Sequence, residues 1–165
     1  MKHFESNIGE KIEMDDIISK IDELIEKPRY LIDIFPCAVP QTLDSRYFMV
    51  EEYFQKNRTE WNRKFCNLLL KLYCYYDFWV SAGEKLAKNP EPELLAEWIW
   101  HCFEGDWKER DYINIILPAC NAMVILNGDD LYMILCNPDK QLMDIIMQLA
   151  GAEGFFVYKA QGTQN

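Results

Sequence analysis

Two aspartates stand inside segments that otherwise have strand composition. Asp33 lies in Tyr30-Leu31-Ile32-Asp33-Ile34-Phe35, and Asp77 lies in Tyr75-Tyr76-Asp77-Phe78-Trp79-Val80. Alternation along a strand puts Asp33 on one face with Leu31 and Phe35, and Asp77 on one face with Tyr75 and Trp79. Acids are disfavoured at mid-strand positions. If the two strands were neighbours, the carboxylates would meet among tyrosines, split their pKa values and do acid–base work. The blander account is an acid on an open sheet face, or one that fastens a neighbouring loop. Glu51 and Glu52 add one acid to each face of a further apolar segment, Tyr47–Phe54.

Aromatic residues gather near the second aspartate. Tyr73, Tyr75 and Tyr76 precede Trp79, and such side chains suit contact surfaces because each joins a large apolar body to a polar tip. Trp98, Trp100 and Trp107 crowd another region; Trp98 falls on a buried helical stripe and Trp100 falls off it. Core packing accounts for most of these rings. The candidate ligand- or partner-binding residues are Asp33, Tyr75, Asp77, Trp79 and Trp100. No catalytic residue and no metal ligand is assigned.

Other chemistry lacks its residues. His3 and His101 are the two histidines. His101 adjoins Cys102, but adjacent helical residues point about 100° apart and cannot address one reacting atom. No H-x-x-x-H, H-E-x-x-H or C-x-x-C spacing is present, so nothing suits zinc. The seven glycines form no phosphate-binding loop and no nucleophile elbow. No cofactor is implied.

The net charge of −10 disfavours nucleic acid and anionic membrane surfaces; it reads first as solubility, and beyond that suits a protein partner with a basic surface or a nucleic-acid mimic. Arg58, Arg63 and Lys64 come nearest to a basic stripe, and Glu60 dilutes them. A second copy of the chain is another candidate partner. Six cysteines among apolar neighbours read as free thiols in a reducing compartment. The N-terminal stretch lacks a signal peptide's apolar core, and no apolar run reaches the roughly 20 residues of a membrane span. The expected location is cytoplasmic.

The elements that must position these residues follow from periodicity. The clearest unit is Ala122–Lys159. Ala122–Leu126 and Leu131–Leu135 are strands joined through Asn127-Gly128-Asp129-Asp130. A Gly128-Asp129 loop, with Leu126 opposite Leu131, is preferred over an Asn127-Gly128 loop. Asn137-Pro138 then predicts a helix start, and Leu142, Ile145, Ile146 and Leu149 form its buried stripe. Gly151 or Gly154 ends the helix, and Phe155–Tyr158 returns as a strand parallel to the one before the helix.

Upstream, a helix from Glu13 presents Ile17, Ile18, Ile21, Leu24 and Ile25, and Pro28 closes it. Tyr47–Phe54 is read as strand on its aromatic and β-branched content. Thr59 caps the longest helix, with Trp61, Phe65, Leu68, Leu69 and Leu72 inward. Tyr75–Val80 is a strand and residues 83–89 a loop. Asn89-Pro90 starts a helix through Leu94, Leu95, Trp98, Ile99 and Cys102 that ends by Gly105. Asp106–Asp111 is a charged connector, and Tyr112–Leu117 is strand or short helix. Residues 1–12 and 160–165 are expected as flexible tails of one domain spanning 1–165.

Helices interleaved among strands predict an α+β fold, with a mostly antiparallel mixed sheet against about four helices. The function expected is a small interaction or regulatory protein without chemistry of its own. The alternative is a small-molecule-binding protein or enzyme that uses strand carboxylates and tyrosines.

Overall fold

In a computed structural model that describes residues 2–104 and 112–161, with 2–12 as backbone alone, seven strands form one sheet. They are β1 Arg29–Asp33, β2 Trp79–Ala82, β3 Lys85–Lys88, β4 Ile113–Leu117, β5 Ala122–Leu126, β6 Tyr132–Cys136 and β7 Phe156–Lys159. Their order is β3-β2-β4-β5-β6-β1-β7, and each neighbouring pair is antiparallel. Five helices accompany them: α1 Lys2–Ile25, α2 Asp44–Lys56, α3 Thr59–Tyr73, α4 Pro92–Glu104 and α5 Lys140–Glu153. The fold is α+β, as the interleaved pattern predicts.

Both faces of the sheet are used. Ile32, Val80, Ile113, Ile115, Val124, Leu126, Met133 and Leu135 project to one side, where the inward stripes of α3, α4 and α5 cover them. The opposite side carries Ile116, Met123, Ile125 and Cys136, which pack against Leu24, Ile21 and Ile17 of α1. Strand alternation makes this possible: Met123 and Ile125 face α1 while Val124 between them faces the larger core. The helical face of α1 is narrower than its sequence suggests, since Ile18 and Ile25 are exposed. The helix starts at Lys2 rather than Glu13.

The Ala122–Lys159 unit forms as expected, with three local differences. The β5–β6 register pairs Leu126 with Met133, two residues beyond the preferred pairing with Leu131. A shift of two keeps every side chain on its face. The turn closes with Asp130 N–H donating to Asn127 O at 3.1 Å. The N-cap of α5 is Asp139, whose carboxylate accepts from Leu142 N–H at 2.8 Å. Asn137 instead takes a left-handed turn, φ 55°, and its amide donates to Asn121 O at 2.8 Å. Gly154, φ 82°, ends the helix. β7 does run parallel to β6, but β1 lies between them.

Two strand assignments give way to other structure. Tyr47–Phe54 is helical, within α2. Its partly buried positions are Tyr47, Glu51, Phe54 and Gln55, a stripe at i, i+4, i+7 and i+8 that outweighs local β-propensity. A Tyr47 hydroxyl bond to Glu51 and a Lys56–Glu52 ion pair add support at i, i+4 spacing. Tyr75–Phe78 is a connection rather than strand, and β2 begins at Trp79.

Residues 83–89, expected as a loop, contain β3, joined to β2 by a two-residue turn with Gly83 at φ 60°. Tyr112–Leu117 resolves as strand from Ile113. The helix end at Gly105, the connector Asp106–Asp111, Trp107 and the tail beyond Gln161 lie outside the described residues.

Candidate functional site: a carboxylate among tyrosines

Helix α1 covers the sheet face over β4 and β5 and part of β6, and leaves the β1-β7 end to other segments. That end is roofed by the chain leaving β1 and by α2. Pro36 and Pro40 keep the segment after β1 from becoming helical and route it across the sheet. The result is a cleft of about 250 Å³ between the sheet and α2, walled by Leu31, Phe35, Val39, Tyr47, Tyr132 and Tyr158, with Asp33 among them. A second groove of about 490 Å³ continues from it toward Arg29 and shares Leu31, Cys37, Ala38, Tyr132 and Tyr158.

Asp33 is the last residue of β1 and is 6% exposed. Tyr132 lies directly opposite it on β6. Tyr158 on β7 lies opposite Leu31, and its hydroxyl reaches Asp33 Oδ2 at 2.5 Å. Phe35 N–H donates to Asp33 Oδ1 at 3.3 Å, the local turn that an aspartate can make with the backbone two residues on. Among the described residues no cation pairs with this carboxylate. Burial raises its pKa, against the downward pull of the Tyr158 hydroxyl and the Phe35 and Ile34 amides.

The other phenols of the cleft also face carboxylates. Tyr47 donates to Glu51 Oε2 at 2.8 Å, and Asp130 acts electrostatically on Tyr132. Burial and nearby acids push the Tyr47 and Tyr158 hydroxyls well above the ordinary phenol value and raise that of Tyr132. Burial raises Asp130 as well. The Tyr47 and Tyr158 protons are thus engaged by carboxylates. What those two phenols and Asp33 still offer a guest is oxygen lone pairs and ring faces.

Arg58 locks the roof in place. It is buried, and it donates to Asp130 O across to the β5–β6 turn, to Gln55 Oε1 at 2.7 Å and to Asn62 Oδ1 at 2.9 Å. Its guanidinium also lies 4.7 Å from the Phe103 ring centroid. Gln55 adds a bond to Asp129 O at 2.8 Å. Arg58 therefore serves the α2–α3 corner and is no part of a basic surface stripe.

The structure separates the residues singled out in the sequence. β1 and β2 are four strand steps apart, about 19 Å at the usual spacing. Asp33 and Asp77 therefore do not share a site. Asp77 is exposed and fastens a loop: its Oδ1 accepts from Asn89 Nδ2 at 3.2 Å, while Asn89 Oδ1 accepts from Phe78 N–H at 2.9 Å. Asn89 has φ 45° and is a turn residue ahead of α4. Tyr75 is exposed beside it. Trp79 packs on the α1 side of the sheet under Lys88, and Trp100 is half-buried against the larger core. His101 and Cys102 sit on α4, across the sheet from the cleft.

Tyr47, Tyr132 and Tyr158 carried no site assignment in the sequence. Tyr132 and Tyr158 have the strand parity that would place them on one face, but only the insertion of β1 between β6 and β7 brings them together. Tyr47 was hidden by the strand reading of its segment.

Among the described residues no group of three or more histidine, cysteine or acidic side chains is arranged to hold a metal ion, and no helix is long and apolar enough to cross a membrane. All six cysteines are free thiols; Cys37, at the mouth of the cleft, and Cys74 are exposed. The class these features define is an α+β protein with an aromatic, carboxylate-bearing cleft at one end of its sheet. Compared with protein-family models, curated proteins and solved structures, the chain matches none.

Proposed function

We propose that the chain is a small-molecule-binding protein whose ligand sits over the β6-β1-β7 end of the sheet. One observation carries this reading: Asp33 is buried without a cation in a cleft walled by aromatic rings. A buried carboxylate costs stability unless its acceptor capacity is used. Asp33 has lone pairs to spare, and they lie at a concave, mainly apolar site, which is where ligands are held. A cleft of about 250 Å³ is close to the lower end of the roughly 300–1,000 Å³ range of drug-sized sites, so the guest is small. The free thiols fit a reducing compartment, and a cytoplasmic location goes with them.

Cys37 supplies the test, because it lines the cleft while Cys74, also exposed, lies elsewhere. A metabolite fraction containing the ligand slows alkylation of Cys37 and leaves Cys74 unchanged. If both thiols keep their rates across all fractions, the cleft is empty in life and the reading falls.

A protein partner, the reading favoured by charge, has its own support. The outward side of α2 exposes Phe48 at 60%, Met49 at 65% and Tyr53 at 63%. Exposed aromatic and methionine side chains so grouped suit an interface. Here the proposed partner is a second copy of the chain. Sedimentation equilibrium of the protein and of Met49→Glu decides it: dimer lost in the variant supports the contact, and a monomer in both discards it.

A further inference from the structure

Resting on the small-molecule reading above, we propose that the cleft selects a protonated primary amine carried on a compact apolar body. Two independent features of the cleft point to this class.

The first is its hydrogen-bond inventory. The Tyr158 hydroxyl donates to Asp33 and the Tyr47 hydroxyl donates to Glu51. Two of the three phenol donors are thereby spent on carboxylates. Besides Tyr132, whose hydroxyl can donate or accept, what remains for a guest is acceptors: the spare lone pairs of Asp33 and the phenolic oxygens of Tyr47 and Tyr158. A carboxylate or phosphate ligand would meet the Asp33 carboxylate acceptor against acceptor. An ammonium brings three donors and no acceptor, which is the complement of what is offered.

The second is the wall. Phe35, Tyr47, Tyr132 and Tyr158 line the cleft with rings, and Phe48, largely exposed, stands at its rim. Ring faces carry negative quadrupole charge and attract cations, the more so away from water. Acidic side chains accompany the rings, with Asp33, Glu51 and Asp130 each close enough to act electrostatically on Tyr132. No guanidinium or ammonium among the described residues forms an ion pair with Asp33, so an incoming cation has no internal rival to displace. The apolar body of the guest would rest on Leu31, Phe35 and Val39.

The experiment uses three probes with one carbon skeleton and different head groups: phenethylamine, 2-phenylethanol and phenylacetate. Each is titrated into the full chain, with two readouts: the alkylation rate of Cys37 against Cys74, and the NMR signals of ring-labelled tyrosine. The expected result is protection of Cys37 by the amine, an affinity for the alcohol lower by about tenfold, equivalent to about 1.4 kcal/mol, and no binding of phenylacetate. Asp33→Asn should bring amine and alcohol to similar affinity while still binding the alcohol. Tyr158→Phe, which keeps the carboxylate, should retain the preference for the amine, and Asp77→Asn should change nothing.

If the alcohol or phenylacetate protects Cys37 as well as the amine does, the cleft binds ligands but the amine assignment is wrong. If none of the three probes moves either readout, the assignment falls. The metabolite-fraction experiment then judges the broader reading by itself. An Asp33→Asn protein that keeps the full preference for the amine, with a native unfolding transition, removes Asp33 from the recognition.

Discussion

Tyr158 and Asp33 are bonded diagonally across two strands: Tyr158 lies opposite Leu31, yet its hydroxyl donates to Asp33 Oδ2 at 2.5 Å. Diagonal neighbours on paired strands are about 7–8 Å apart, a gap that a tyrosine spans and a shorter side chain does not. The bond joins the edge strand β7 to β1 by a side chain as well as by backbone. A hydrogen bond to an ionised group contributes roughly 1.5–3 kcal/mol. Tyr158→Phe should therefore lower stability by about 2 kcal/mol, read from the midpoint of urea unfolding at unchanged m-value. A midpoint equal to the parent's would mean that the bond adds nothing.

Asp33 also makes stability depend on pH in an uncommon direction for an aspartate. Burial raises its folded-state pKa above the ordinary 3.8. Between that value and the raised one, the folded chain binds more protons than the unfolded chain. The contribution is thus fully present at low pH and is lost as pH rises through the folded pKa. The Tyr47, Tyr132 and Tyr158 phenols around it stay protonated through this range and take no part. Asp130 is shifted the same way, so the effect must be isolated by difference. Urea unfolding of the parent and of Asp33→Asn from about pH 4 to about pH 7 should show the parent losing stability relative to the variant as pH increases. A constant difference would place the Asp33 pKa at its ordinary value.

Arg58 holds the roof of the cleft. Its guanidinium bonds three oxygens from three segments and stacks on Phe103. Arg58→Met keeps much of the apolar length but leaves Asp130 O and Asn62 Oδ1 short of a donor. The expected loss is about 3 kcal/mol. Near-UV circular dichroism should report loosened aromatic packing where α2 meets α3. A variant with parental stability would show that the corner stands without it.

The two glycines at the end of α5 should respond in opposite ways to alanine. Neither would place a new methyl group within 4 Å of another atom, so backbone conformation alone decides. Gly154 has φ 82°, a left-handed conformation that costs a residue with a Cβ roughly 1–2 kcal/mol. Gly151 is helical, and alanine there should add up to about 1 kcal/mol. Thermal unfolding of Gly154→Ala and Gly151→Ala should move Tm down and up respectively. Shifts of the same sign would contradict the assigned helix end.

What could be read from the chain was local. The stripe of α5, the β5–β6 hairpin with its sheet faces, and the inward residues of α3 are all encoded in spacings of two to eight residues, which a single strand or helix imposes on its own sequence. Tyr47–Phe54 shows where this fails. Its rings and Val50 favour a strand by type, while its spacing favours a helix, and packing of that stripe against Phe35 and Trp61 decided for the helix. Asn89 and Asn137 likewise have cap chemistry, yet left-handed turns used both to tie down neighbouring loops.

Asp33 stood out as an acid inside a strand, but the residues gathered around it were illegible for a deeper reason. Asp33 meets Tyr132 from about one hundred residues downstream and Tyr158 from 125 residues downstream. No periodicity links those positions. They converge because β1 enters the sheet between β6 and β7, an order chosen by how the whole chain covers both faces of one sheet. The sequence alone determined which segments would be oily on which side. The tertiary structure decided which strands became neighbours, and so placed a buried carboxylate among three phenols.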